Sequence, residues 1–450
     1  MLLTELPDDI LFKVVQFLPL IDIILLRKTC RQFQCITLER TVWIDVYRNS
    51  VRERFLPPGP ALHHSVHELE RILIRAQKLD ANWGADPAII KRNWSLTCEI
   101  GNTRCMELYR GRYLALGGLH SFVLHDIHTQ RRLYSHHEPD KNFVFWIYRR
   151  SRMLQADYDQ EELFIPVGKF SKSKKSLYLM FWKIEPSGSV SIIEPQNVNI
   201  TNSQMHIGYG YCMCRLRSGE PILFHIASQK IYTFAEMEEQ NRSRIIDVVI
   251  MANHVVLVYS LYAVNLREQR LFDLYALPDH SQAQYTDTVL HRTHTGMLSW
   301  VFNETTCISS DIDADHNTGF IWLSALFVEQ GLRALRITLN FDGSMLFHFS
   351  NNLRRHADRH TTEVLSHPYD SILTVIPGSR ARGVARTASL PGRPMLALYN
   401  IHVPQNGDLT VDAECIWLPQ LLLADAYTFD GLNGLLCTAA GDQVDILEFA

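Results

Sequence analysis

Residues 6–20 read Leu6-Pro7-Asp8-Asp9-Ile10-Leu11-Phe12-Lys13-Val14-Val15-Gln16-Phe17-Leu18-Pro19-Leu20, and Asp22-Ile23, Cys30-Arg31, Phe33 and Trp43 follow. Pro7 suits the first helical position, where its missing N–H costs nothing. Asp8 and Asp9 then fall in the first turn, where the helix dipole favours negative charge. Leu6, Ile10, Leu11, Val14, Phe17 and Leu18 recur at helical spacing and form one broad apolar face. Pro19 stops this helix, and Leu20 to Lys28 supply a second. A unit of about 45 residues is smaller than a single core usually needs, so its surplus of apolar residues predicts a partner surface.

In this order the residues resemble the F-box. The matching elements are Leu6-Pro7, Asp9 before Ile10-Leu11, the Phe17-Leu18-Pro19-Leu20 junction, Asp22-Ile23, Cys30-Arg31 with Phe33, and the closing Trp43. The likeness covers residues 1–48, about a tenth of the chain. It implies that the helices dock on the Skp-family adaptor of a cullin–RING ubiquitin ligase (an SCF-type complex), while the rest of the chain binds a client protein. By the same resemblance Leu6, Pro7, Ile10, Leu11, Val14, Leu18, Pro19, Leu20, Ile23 and Trp43 form or support the adaptor-binding surface. The run from Leu20 to Leu26 is more aliphatic than the family pattern and leaves the helix register open. The alternative reading of these residues is a helical cap packed on the downstream domain.

Composition narrows the rest. At 450 residues the chain exceeds the usual single-core range, which predicts two or three units. An apolar fraction of 46% with 20% charged residues describes a folded protein. A formal net charge of -4 gives no general attraction to nucleic acid or to an anionic membrane. Nine scattered cysteines suit free thiols in a reducing compartment. The opening Met1 to Glu5 lacks the basic flank of a signal peptide. The expected location is therefore cytoplasmic or nuclear.

After Trp43 the cluster Leu56-Pro57-Pro58-Gly59-Pro60 marks a junction. Val66, Leu69, Leu73, Ala76 and Trp83 then predict a helix, with His67, Glu68, Arg71, Arg75 and Lys78 on its other side. Residues 49–83 thus read as a helical linker, either a rigid spacer or a surface helix packed on the next domain. From residue 84 to 450 short alternating runs bounded by Gly, Asp, Asn, Ser or Pro predict an all-β domain. Examples are Tyr113 to Leu116, Phe122 to Ile127, Ser176 to Lys183 leading into Val190 to Ile193, and Pro221 to Ile226 followed by Lys230 to Phe234.

The stretches Ser121 to Thr129, Ile222 to Ser228 and Leu396 to Ile401 echo one another and resemble part of a WD-like repeat. Units recur every 40–60 residues or so, the period of propeller blades. The expected fold is therefore α plus all-β: a small helical F-box, a helical linker, and a β-propeller-like domain of about six or seven blades. Gln443 to Phe449 should close the ring with strands near residues 95–116. A pair of two-sheet sandwiches is the competing architecture.

Catalytic signals are few. No phosphate-cradling glycine loop and no Gly-x-Ser-x-Gly elbow occurs. Cys212 and Cys214 would share one face of a strand, as core residues rather than as metal ligands. Asp311, Asp313 and Asp315 form the best local candidate for a cation. His136-His137 and the run Lys169 to Lys175 read as solvated loops. Gly378 to Pro394, with Arg380, Arg382, Arg386 and Arg393, reads as a mobile insertion. No cofactor, metal, nucleic acid or membrane is expected. The leading reading is a non-catalytic ligase subunit. An interaction scaffold outside the ligase and a propeller hydrolase with a helical cap are the alternatives.

Overall fold

The structure, a computed structural model, describes residues 6–51, 56–57, 60, 64–83, 89–100, 103–147, 162–173, 176–185, 187–194, 199–200, 205–216, 218–235, 237, 245–250, 253–262, 268–278, 288–298, 305–312, 318–327, 331–340, 345–349, 368–375, 380–390, 393–402, 410–417 and 426–450. From 305 to 417 the description is of strands and their pairing.

Five helices come first: α1 Asp8–Gln16, α2 Leu20–Leu26, α3 Arg31–Thr37, α4 Arg40–Val51 and α5 Val66–Trp83. Pro7 and Pro19 stand just outside α1 and α2 in the extended conformation, so Pro7 is the cap and not the first helical residue. The Pro7 carbonyl accepts from the N–H groups of Ile10 and Leu11, and that of Pro19 from Ile23. Each proline therefore starts its helix without wasting a donor. Among the described residues no helix is long and apolar enough to cross a membrane.

Among the described residues seven sheets follow, antiparallel apart from one short parallel pair. Four consecutive strands, Cys105–Tyr109, Tyr113–Gly117, Ser121–Asp126 and Arg131–His137, make the first. The second is Phe143–Ile147, Leu163–Ser171 and Ser176–Ile184, with Val190–Ile193 and Asn199–Ile200 both paired to the last of these. His206–Gly208, Tyr211–Arg215, Pro221–His225 and Lys230–Phe234 make the third, with Val289–Leu290 added in parallel. The fourth runs Ile245–Ile250, His254–Tyr262, Glu268–Ala276 and Arg292–Leu298. Thr305–Ile312, Thr318–Phe327, Gly331–Asn340 and Met345–Phe349 form the fifth, and Pro368–Val375, Arg380–Leu390, Arg393–His402 and Thr410–Trp417 the sixth.

The last sheet joins the two ends of the β region. Ala426–Asp430, Leu435–Ala440 and Gln443–Glu448 pair in order, and Arg92–Thr97 completes the sheet against Gln443–Glu448, from Arg92 opposite Glu448 to Thr97 opposite Gln443. The first strands of successive sheets meet: Cys105–Tyr109 touches Phe143–Ile147, and Ile245–Ile250 touches both His206–Gly208 and Thr305–Ile312. Pro368–Val375 lies between Thr305–Ile312 and Ala426–Asp430, which in turn packs on Cys105–Tyr109. Between the second and third sheets Phe181 stacks on Phe224 at 5.8 Å. Four-strand meanders in ring order, fastened by first and last strands, are a β-propeller-like arrangement.

The cores lie between neighbouring sheets. Cys212 and Cys214, both on Tyr211–Arg215, are buried with Leu177, Leu179 and Phe181 of the adjoining sheet. Burial raises the Cys212 thiol well above its ordinary value, and Cys214 beside it adds to the effect.

Three readings of loops are corrected. His136 and His137 lie in strand Arg131–His137, with the His136 ring edge-on to Phe145. Lys169 to Ser171 end strand Leu163–Ser171, where Lys169 pairs with Glu138 and lies over the Phe143 ring. Arg380 to Leu390 form a long strand between two partners, not a mobile insertion. The Asp311, Asp313 and Asp315 cluster lies outside the described side chains. Among the described residues no group of three or more His, Cys, Asp or Glu could hold a metal.

Candidate adaptor-docking surface

The helices share one core. Leu11 and Val15 of α1, Leu20 and Ile23 of α2, Phe33 and Ile36 of α3, Val42, Trp43, Val46 and Tyr47 of α4, and Leu69, Leu73 and Ala76 of α5 are buried together. No residue of the sheets joins this cluster among the described residues. Each Val, Leu, Ile or Phe among them contributes about 1.5–3 kcal/mol when fully buried. Helix α5 therefore supplies the missing core that a unit of about 45 residues lacks. Part of the apolar surplus is absorbed within the chain, and not by a partner.

Polar contacts fix the helices against one another. The Trp43 indole N–H donates to the Thr37 carbonyl at 2.7 Å, and the Arg27 guanidinium lies over the Trp43 ring at 5.6 Å. Arg27 also pairs with Glu70 of α5 at 3.0 Å. Gln16 donates to Asp45, and Gln32 to Asp8 at 3.2 Å, tying α1 to α4 and α3. The Tyr47 hydroxyl donates to the Pro57 carbonyl.

This packing divides the ten residues singled out above. Leu11, Leu20, Ile23 and Trp43 are sealed in the helical core and can only support a surface. Leu6, Val14 and Leu18 are half-buried, while Pro7, Pro19 and Ile10 are exposed. Along α1, α2 and the turn between them the open large apolar residues are Ile10 at 40%, Phe17 at 86%, Ile21 at 53% and Leu25 at 52% of full exposure, and Leu38 after α3 is also open. Ile10 and Val14 of α1 and Phe17, its C-cap residue, fall at i, i+4 and i+7, about a third of a turn around from the buried pair Leu11 and Val15. Ile21 and Leu25 repeat the spacing on α2, just past the proline turn. Sequence spacing placed Phe17 on the apolar face but not among the surface residues. Ile21 and Leu25 were hidden in a run that is aliphatic at every position but Asp22, which gives little phase.

The far end of α5 belongs to a different core. Leu79 and Trp83 are buried with Tyr427, Phe429, Leu436, Leu447 and Phe449 of the closing sheet. Arg75 donates to the Asn433 carbonyl at 2.9 Å and pairs with Glu448 at 2.9 Å. The Asn82 amide donates to the carbonyls of Phe449 and Ile89 and accepts from the Ile89 N–H. One helix of 18 residues, about 27 Å long at 1.5 Å per residue, thus serves both cores and presents the helical surface from the ring.

The F-box domain model matches residues 3–45 of this chain. No curated protein sequence matches it. Among solved structures, the WD40 domain of SCAP from fission yeast is 12% identical, over 77% of this chain and 84% of that one, with a TM-score of 0.42. Drosophila Plexin A, solved in complex with Semaphorin 1b, is 10% identical over 80% and 88%, with a TM-score of 0.41. The WD40 β-propeller domain of Doa1 is 9% identical over 79% and 95%, with a TM-score of 0.36.

Proposed function

We propose that this chain, an F-box followed by a β-propeller-like ring, is the client-recognition subunit of an SCF-type cullin–RING ubiquitin ligase in the cytoplasm or nucleus. The observation that carries the reading is the coincidence of the F-box match at residues 3–45 with an open apolar stripe at Ile10, Phe17, Ile21 and Leu25. A Phe left 86% exposed forgoes about 1.5–3 kcal/mol of burial, which a docked Skp-family adaptor would recover. The ring, carried on α5, would hold the client protein. The chain itself supplies proximity and no bond chemistry: a client lysine held near the conjugating enzyme meets it at high effective concentration.

Co-purification with a Skp-family adaptor tests this. Wild type should retain the adaptor, and Phe17→Asp and Ile21→Asp should lose it while melting as wild type does. Leu11→Asp would be uninformative, because it breaks the helical core. Failure of the wild type to hold the adaptor would overturn the proposal. Proximity labelling that compares wild type with Phe17→Asp would then separate clients, which persist in the variant, from ligase components, which disappear.

A further inference from the structure

A cavity of about 310 Å³ opens where α5 crosses the junction of the closing sheet with the first sheet. Arg75 enters it from α5, Arg92 and Trp94 from the first closing strand, and Glu448 from the last. His128 and Gln130 enter from the turn that follows Ser121–Asp126. Glu448 is the one carboxylate in this wall, facing two guanidinium groups. Arg75 pairs with it at 2.9 Å and donates to the Asn433 carbonyl, whereas Arg92 makes a looser ion pair with it at 3.8 Å, without a hydrogen bond. Arg92 rests over the Trp94 ring at 5.8 Å with its side chain 76% exposed, so its guanidinium is positioned and its N–H groups stay accessible beside the loose Glu448 pair.

The local field has the same sign. His128 is held below its ordinary pKa, first by partial desolvation and then by Arg75, with Arg112 and Arg71 adding to the effect and Asp126 opposing it. An anion is the group that such a site favours. A planar carboxylate offers two oxygens, whereas a phosphate monoester carries about −1.5 to −2 charge and three acceptor oxygens. Two guanidinium groups and neighbouring neutral donors can engage those three oxygens together. A volume near the lower end of small-molecule sites, roughly 300 Å³, leaves room for a short group bearing the phosphate.

We propose that this seam pocket binds the phosphoryl group of a small molecule, with Arg75 and Arg92 on its oxygens and His128 and Gln130 as donors at the rim. The ligand would join three parts at once: the helix that carries the F-box, the closing sheet and the first sheet. The site is independent of adaptor docking, since none of its residues lies on α1 or α2.

The test is calorimetric titration of the full-length protein with inorganic phosphate and with glycerol phosphate, at matched ionic strength and with thermal melts alongside. Saturable binding at one site and a rise in melting midpoint are expected. Arg92→Gln and His128→Gln, both at exposed positions, should weaken binding by about tenfold or more while ligand-free melts stay as in wild type. The probe that binds more tightly identifies the source, free phosphate or an ester, and either carries the site. No saturable binding of either probe would overturn the proposal. So would binding that both substitutions leave unchanged, which would mark non-specific attraction to surface charge.

Discussion

Gly434 shows how one residue sets the approach of two domains. Its backbone lies at φ +60°, and a Cβ there would meet Leu79 Cδ1 of α5 at 2.5 Å. Both the left-handed turn and the close passage of the helix need the missing side chain. Gly434→Ala should cost about 1–3 kcal/mol, read as a lower urea midpoint with an unchanged slope. Asp126 makes a different kind of local demand. Its carboxylate accepts from the N–H groups of His128 and Thr129 at 3.0 and 3.3 Å and pairs with Arg112 at 2.8 Å. Burial alone would raise its pKa. The Arg112 guanidinium and the two N–H groups outweigh burial and leave it below the usual carboxylate range. Because the folded value is depressed, the stabilisation is complete above the unfolded value of about 3.9 and is lost as pH falls through the folded one. Urea melts from neutral pH down to about pH 3 should therefore show a shallower acid loss in Asp126→Asn than in wild type. Asp430 repeats the turn in the closing sheet, accepting from Leu432 and Asn433, both at 3.0 Å.

At the scale of elements, α5 is the part whose position spacing could announce and whose role it could not. Ser65 and Glu68 close its N-terminus reciprocally: the Ser65 N–H and hydroxyl donate to the Glu68 carboxylate at 2.7 and 2.8 Å, and the Glu68 N–H donates back at 3.3 Å. This is the reciprocal arrangement of a capping box, which the reading by apolar spacing did not use. Ser65→Ala should lower stability by about 1 kcal/mol, measurable as a shift in thermal midpoint without loss of helical signal elsewhere. Val66, Leu69, Leu73, Ala76 and Trp83 marked one apolar face. Periodicity reports that a face is covered, and not by what, so Leu73 in the helical core and Trp83 in the ring core could not be told apart. Arg75 likewise fell on the polar side, and only the fold brings Glu448 to it across 373 positions. The strand Arg380–Leu390 was missed for a related reason. A segment paired on both edges takes its hydrogen bonds from its neighbours, so Gly, Ala, Ser and Arg can form a strand that their propensities disfavour.

For the whole molecule, the alternating runs and turn residues made the ring legible, down to a last strand that returns to the start of the β region, although its partner there is Arg92–Thr97 and the strands from 105 to 117 belong to the neighbouring sheet. What the pattern left open was which apolar residues of the F-box face its own core. Leu11 and Phe17 look alike in sequence and differ completely in exposure. Closure itself rests on few residues. Gln443–Glu448 lies between Arg92–Thr97 and Leu435–Ala440 and pairs with both, while Phe449 beyond it packs against Trp83 at 5.5 Å and offers its carbonyl to Asn82. Removing residues 443–450 would therefore leave Arg92–Thr97 without its pairing partner and Leu435–Ala440 with one neighbour instead of two, open the ring at its seam and take Leu447, Glu448 and Phe449 from the anchor of α5 in one step. Such pairings between distant parts of a chain repay their ordering entropy only when the last one forms. The truncated protein should lose its cooperative unfolding transition and become readily cleaved by protease across the β region, with far-UV circular dichroism and limited proteolysis as the readouts. A truncated chain that still melted in one sharp transition would show that the sheets hold together without this strand, and that the seam is not where the ring is fastened.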